Sequence, residues 1–277
     1  MIKAVVFDLD GTLLNTIQDL ANAANHALRT LGLPEHTTEE FLHFVGDGRR
    51  NMVLRMLPEA LRADEAMVAR ASGLFDEHYN AHLRDCTAPY PGIPELLAAL
   101  KAKGLRLGVV SNKPHEFVTQ IIEGYFPGLF DSVAGQQGGC IKPDPSGVKQ
   151  VIDAFGLHPD QVLYVGDSAV DIETAQNAGT ASCGVLWGFR DEAELEEAGA
   201  QYIAAHPQDI ATLIASRNRA EGFNRGLALF TVAVMAVCLV GVFYFLFTGN
   251  GAGIGACVVL PLLMGFAATS MLKKKKE

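Results

Sequence analysis

The hydrophobic pattern changes character several times along the chain, and each regime predicts a different kind of element. Ala4-Val5-Val6-Phe7 is continuously apolar and rich in valine, the mark of a strand buried on both faces. Behind it, residues 15–31 place Ile17, Leu20, Ala24, Ala27, Leu28 and Leu31 at helical spacing and stop at Gly32, which predicts an amphipathic helix with a glycine end. Thr37-Thr38-Glu39-Glu40 reads as a capped helix start, residues 49–57 as a further helix, and residues 63–83 as a long amphipathic one. No strand pattern occurs in 16–86. An all-α insertion placed directly after the first strand is therefore expected.

From Pro91 the pattern alternates. Helices are predicted at 92–103, 115–124, 145–155, 169–178 and 209–216, and strands at 105–110, 132–134, 161–165 and 183–187. Strands separated by helices of about ten residues imply βαβ units and a parallel sheet. The expected core is a doubly wound, Rossmann-like α/β fold made of residues 1–15 and 87–216, with 16–86 inserted. After a basic linker at 217–225 the pattern shifts again. Residues 226–247 are 22 positions without a charge, and 253–272 are another 20, joined by a polar, glycine-rich break. Each run gives about 30 Å of helix, enough to cross a bilayer core. Two C-terminal transmembrane helices forming a hairpin are expected, followed by a basic tail at 273–277.

Charge and cysteine usage refine this picture. Seven basic residues against two acidic ones give residues 217–277 a charge of +5, so the remainder carries −14 of the net −9. An acidic body lacks the basic footprint of a nucleic-acid binder. Basic residues flank the hairpin on both outer sides, so the body of the chain and both termini are expected in the cytoplasm and the short turn outside. The five cysteines (Cys86, Cys140, Cys183, Cys238, Cys257) are scattered without a Cys-x-x-Cys pair, as in a reduced chain without structural zinc. The N-terminus enters a core strand at once, so no signal peptide is expected. His78 and His82 lie four apart on a predicted helix but without a third ligand nearby in sequence; a solvated helix face is expected.

The chemistry gathers at strand ends. Asp8 and Asp10 follow the first strand and precede Gly11-Thr12. Carboxylates that close repel one another, so they persist with a cation or a shared proton. A calcium loop is excluded because Leu13, Leu14 and Asn15 stand where oxygen ligands are needed. Ser111-Asn112, Lys142 and the Gly166-Asp167-Ser168-x-x-Asp171 stretch fall after other predicted parallel strands. Strand ends of one open sheet converge, so these groups can form one site. Phosphoryl transfer would use them all: a carboxylate nucleophile, a lysine and a hydroxyl for the equatorial oxygens, an acid for the leaving group and acids for a metal ion.

Phe7-Asp8-Leu9-Asp10-Gly11-Thr12-Leu13, Val110-Ser111-Asn112-Lys113, Lys142-Pro143 and Gly166-Asp167-Ser168-x-x-Asp171 resemble the four motifs of haloacid dehalogenase-type hydrolases. The phosphoglycolate phosphatase-like branch, with a helical cap after the first strand, is the most similar, and the resemblance spans about residues 2–215. It implies that Asp8 is a nucleophile forming an aspartyl-phosphate, and that Asp10 protonates the leaving alcohol and then activates water. It further implies that Ser111 binds a phosphoryl oxygen and that Lys142 neutralises Asp8 and phosphate. Asp8, Asp167, Asp171 and the Asp10 carbonyl would surround Mg²⁺. Thr12 and Asn112 are further candidates for substrate contact. So is Arg49, in a loop (Val45-Gly46-Asp47-Gly48-Arg49-Arg50) that resembles the branch's cap loop. Many relatives carry Asp-Ser or Asp-Thr where this chain has Asn15-Thr16. The expectation is a membrane-tethered, Mg²⁺-dependent phosphatase for a small phosphorylated metabolite, with no implication about self-association. A phosphotransferase of the phosphoglucomutase type and a membrane scaffold with a vestigial phosphatase domain are the alternatives.

Overall fold

The computed structural model describes residues 1–137 and 141–248. The chain divides into two compact units, Ile2–Ile214 and a second formed by Met1 with the residues from Ala215 onward. In the first unit β1 (Ala4–Phe7) leads through β2 (Leu14–Asn15) into α1 (Ile17–Thr30), α2 (Thr38–Phe44), α3 (Arg49–Met56) and α4 (Glu65–His82). The chain returns through β3 (Ala88–Pro89) to α5 (Ile93–Ala102), β4 (Arg106–Pro114), α6 (His115–Tyr125), β5 (Ser132–Gln136) and α7 (Ser146–Phe155). It continues with β6 (Val162–Gly166), α8 (Ala169–Ala178), β7 (Ala181–Val185), α9 (Glu192–Glu197), β8 (Tyr202–Ala204) and α10 (Pro207–Thr248).

Six strands form one sheet in the order β5-β4-β1-β6-β7-β8, every pair parallel. The winding runs outward from β1 in one direction and then reverses, so β1 is flanked by β4 and β6. The carboxyl end of β1 is therefore the topological switch point, where open α/β sheets hold their ligands. Period-2 alternation splits the strands cleanly between two cores. Val5, Phe7, Leu107, Val109, Leu163 and Val165 face one side, with α5, α6 and the start of α10. Ala4, Val6, Val162 and Tyr164 face the other, with α7 and α8. Leu20, Phe41, Met52, Phe75 and Tyr79 of the inserted helices belong to the first of these clusters.

Thr37 caps α2 as expected: its hydroxyl accepts from the Glu40 amide while the Glu40 carboxylate accepts from the Thr37 amide. Other boundaries moved. The strand predicted to end at Val110 runs on to Pro114, with a register shift that carries Ser111, Asn112 and Lys113 over the sheet end. β7 begins at Ala181, two positions ahead of the predicted 183–187. The large apolar Leu186 and Trp187 drew the expectation forward, whereas a strand buried between neighbours accepts Ala181 and Ser182. β2, β3, β8 and α9 were not anticipated, since two- and three-residue strands carry no periodic signal. β2 and β3 pair antiparallel and so join the two ends of the helical insertion.

The C-terminal expectation needs correction in one respect. The closing helix, the basic linker and the first apolar run are one helix, α10, not separate pieces. The Arg217–Glu221 pair at i, i+4 (3.5 Å) supports its charged stretch. Among the described residues one helical stretch, Pro207–Val237, is long and apolar enough to cross a membrane by length and composition. Leu229, Phe230, Val232, Met235 and Val237 on it are exposed. The glycine-rich break, the second expected span (253–272), the lysine tail, Cys140 and Cys257 lie outside the described residues.

Candidate active site

The Asp8 amide donates to the Val165 carbonyl at 2.8 Å, which prolongs the β1–β6 ladder by one residue and sets Asp8 at the carboxyl end of the sheet. The chain then turns at Gly11, whose φ is +88°. A side chain there is excluded twice, by that backbone conformation and by the Asp167 carboxylate, 2.3 Å from where a Cβ would lie. Gly166 has the same role one strand away: a Cβ would fall 2.2 Å from Asp171 Cγ. Both glycines exist so that carboxylates can crowd the end of the sheet.

Asp8, Asp167 and Asp171 are buried, and one oxygen from each lies within 4.8 Å of the others. Lys142 Nζ donates to Asp8 Oδ1 (2.6 Å) and to Asp171 Oδ1 (2.7 Å). One ammonium thus bonds two of the three carboxylates. Burial, with Asp171, Asp167 and Asp10 adding to it against Lys142, pushes Asp8 well above the usual carboxylate range. Burial and Asp171 likewise push Asp167 up to about 7. For Lys142, burial works against the charge, but Asp171 and Asp8 outweigh it and hold the ammonium well above its ordinary range. The remaining acceptor capacity is partly met by the chain. Asp167 takes bonds from the Thr12 hydroxyl (3.1 Å) and the Phe189 amide (2.8 Å). Asp171 takes bonds from the Ser168 hydroxyl (2.7 Å) and amide (3.1 Å) and from the Tyr164 hydroxyl (3.2 Å). The acceptor capacity that the chain leaves open suits a hard, oxygen-preferring cation, for which three carboxylates are a fitting set.

Asp10 lines the same cavity but stands apart from this trio. Its Oδ1 accepts from Lys113 Nζ (2.6 Å) and from the Thr16 hydroxyl (2.6 Å). Lys113 also donates to the Tyr79 hydroxyl (3.0 Å), with its ammonium 5.0 Å from the Tyr79 ring centroid. Burial lowers and Asp10 more than restores the charge of Lys113, which is held above its usual range. Burial pushes the Tyr79 phenol up to about 12. Tyr79 belongs to α4, so the inserted helices reach the carboxylate through this lysine.

Other expected residues sit in or behind the cavity. Ser111 lines it, its hydroxyl accepting from the Lys113 amide at 3.2 Å. Asn112 clasps the Lys142 main chain: its Oδ1 accepts from the Lys142 amide (2.6 Å) and its Nδ2 donates to the Lys142 carbonyl (3.2 Å). The same Nδ2 donates to the Gly46 carbonyl at 3.1 Å. Thr12 is fully buried against Asp167 and is not among the residues lining the cavity. Arg49 does line it, in an ion pair with Asp76 of α4.

Lys113, Thr16, Tyr79 and Arg190 were missed. A lysine beside a proline and a threonine at a helix start have ordinary surface uses, so neither stood out. Arg190 donates to the Leu42 and Val45 carbonyls, the latter at 2.8 Å, and with Asn112 fixes the loop that borders the cavity. Met52, Phe75, Phe117 and Phe189 give the cavity apolar walls, and no sequence signal marks which core residues such walls will use.

Comparison with known proteins gives concordant matches. The family model described as haloacid dehalogenase-like hydrolase matches residues 5–185. A phosphoglycolate phosphatase of Aquifex aeolicus is 34% identical over 217 residues, covering 76% of this chain and 96% of that protein. One from Thiobacillus denitrificans is 36% identical over 194 residues, covering 68% and 85%. The crystal structure of a phosphoglycolate phosphatase candidate from Lactobacillus delbrueckii subsp. bulgaricus matches with a TM-score of 0.71 and 34% identity. It covers 75% of this chain and 96% of its own.

Proposed function

The chain belongs to the haloacid dehalogenase-like hydrolases and is a phosphoric monoester hydrolase, and from that premise we propose that it hydrolyses a small phosphate monoester of the phosphoglycolate type, with Mg²⁺, at a membrane. The observation that carries this reading is the placement of three buried carboxylates and Lys142 beside Asp10 in one cavity.

Asp8, Asp167 and Asp171, joined by the Asp10 main-chain carbonyl, would hold Mg²⁺. Bound there it would keep Asp8 ionised and offset charge on the phosphoryl oxygens. The chain's own residues do the rest. An Asp8 carboxylate oxygen attacks phosphorus and the bond to the ester oxygen breaks. Asp10 gives that oxygen a proton, so an alcohol leaves. Asp10 then takes a proton from a water that attacks the phosphoryl group on Asp8. Inorganic phosphate departs and the Asp8 carboxylate returns. Both tethers of Asp10 fall on Oδ1, which aims this group while it loses and regains its proton. Lys142 and the Ser111 hydroxyl hold phosphoryl oxygens, and Asn112 positions Lys142 through its main chain. Thr12, buried on Asp167, orients a metal ligand and does not meet substrate.

A substrate carboxylate at Arg49 would exchange for Asp76, whose own carboxyl is raised by burial despite the Arg49 partner. The inserted helices serve as the cap that excludes water during transfer. The apolar side chains exposed around α10 support membrane attachment, with the catalytic unit on the cytoplasmic side. Hydrolysis of phosphoglycolate, sugar phosphates, nucleotides and pyrophosphate by the full-length protein, with and without Mg²⁺, tests the reading. A metal-dependent preference for phosphoglycolate or a similarly small acidic ester is expected. Turnover of none, by folded protein, would sink it, and transfer to an added sugar phosphate would redirect it to phosphotransfer.

A further inference from the structure

His78 and His82 lie one turn apart on α4, and the fold brings a third imidazole, His26 of α1, against them. Ring centroids are 4.2 Å apart for His26 and His78 and 4.4 Å for His78 and His82, with the rings inclined by 30° and 29°. The three rings border a cleft separate from the catalytic cavity, shared with Asp19, Arg29, Glu35 and Asp85.

Independent observations point to a ligand here. His78 Nδ1 is buried and has no hydrogen-bond partner, although buried polar atoms are almost always paired. His82 Nδ1 lies 2.8 Å from Asp85 Oδ2. That carboxylate–imidazole contact fixes the tautomer and leaves Nε2 with its lone pair for a metal ion. The other charges at the cleft are already satisfied. Arg29 is gripped by both oxygens of Glu35 (3.0 and 2.8 Å), and Asp19 by the Cys86 and Thr87 amides (2.9 and 2.8 Å).

We propose that His26, His78 and His82, with Asp85 behind His82, form a second metal site for a divalent transition ion that prefers imidazole, such as Zn²⁺, Ni²⁺ or Cu²⁺. Histidines at i and i+4 of a helix put both rings on one face for such an ion. Stacked rings present their nitrogens at the edges, so the ion draws His26 and His82 to turn about their Cβ–Cγ bonds toward His78. His82 is 48% exposed and has room to do so. The donor set differs in kind from the catalytic carboxylates: imidazole suits Zn²⁺, Ni²⁺ and Cu²⁺, while carboxylate suits Mg²⁺. An ion bound here ties α1 to α4.

The test is a Zn²⁺ titration of chelator-washed full-length protein, followed by calorimetry, with Mg²⁺ in large excess to cover the oxygen ligands. One equivalent of Zn²⁺ is expected to bind, and Cu²⁺ at the same site should show nitrogen hyperfine coupling in its electron paramagnetic resonance spectrum. His78→Gln and His82→Ala should each weaken Zn²⁺ binding by at least about tenfold without changing the far-ultraviolet circular dichroism. If His78→Gln misfolds, the exposed His82→Ala decides alone. Zn²⁺ affinity equal to wild type in His82→Ala, or no binding above the Mg²⁺ background, overturns the proposal.

Discussion

Lys142 shows how little slack the site has at the residue scale. Its ammonium is 5% exposed and bonds two carboxylates at once, so removing it leaves buried negative charge without an answer. Lys142→Met is expected to lower the stability of metal-free protein by about 3 kcal/mol in urea unfolding, with added Mg²⁺ recovering part of the loss. Asp8→Asn acts in the opposite direction on the fold. It should cut turnover by at least about a thousandfold while the melting temperature holds or rises, because one member of a repelling trio is neutralised. Wild-type turnover in that variant would overturn the nucleophile assignment. The same crowding fixes a pH response. Asp167 is raised to about 7, against 3.8 ordinarily, so between those values the folded state keeps a proton that the unfolded state releases. Stability of the metal-free protein therefore falls as pH rises from about 4 to about 7. Melting curves across that range should show the decline, and Mg²⁺ should reverse it. The acidic residues were legible because their spacing is local. Lys113 was not, because its partners Asp10 and Tyr79 come from other parts of the chain.

At the scale of elements, short irregular pieces do the positioning. The turn at Gly11 is the clearest case. Gly11→Ala pays for a left-handed conformation, about 1–3 kcal/mol, and drives a methyl into Asp167. Weaker Mg²⁺ activation together with a lower melting temperature is expected; an unchanged Mg²⁺ requirement would mean that Asp167 does not serve the metal. Thr16, at the N-terminal end of α1, holds Asp10 by its hydroxyl. Thr16→Val should lower kcat by about tenfold with little change in KM, measured on the preferred ester. The helices and the long strands were readable from periodicity, and Thr37 and Glu40 make the expected capping box. The antiparallel pair of β2 and β3 was not, since Leu14 and Pro89 meet through pairing across the whole insertion.

For the whole molecule the chief question is what the C-terminal helix contributes. Ile2–Ile214 is a compact unit, and the family match ends at residue 185. Protein ending at residue 216 is therefore expected to be soluble and to retain the kcat and KM of the full chain, whereas the full chain should float with lipid vesicles in a density gradient. Loss of activity on truncation would make α10 part of the enzyme, and failure to float would remove the membrane from the proposal. The apolar run itself was plain in the sequence. Its continuity with the closing helix was not, because the charged stretch between them resembles a linker until the Arg217–Glu221 pair is seen along one helix.

Local pattern and spacing by themselves determined the parallel α/β core, the helical insertion, and the aspartates and lysine that meet at the strand ends. Those follow from hydrophobic periodicity and from motifs whose atoms lie within a few residues of one another. Tertiary structure alone decided how these groups are charged and aimed. Burial raises Asp8 and Asp167, Asn112 grips the Lys142 main chain, and Tyr79 reaches Asp10 through Lys113. It also brought His26 to His78. The physical reason is the same each time: desolvation and hydrogen bonding depend on what folding places within a few ångströms, and sequence separation carries no record of that distance.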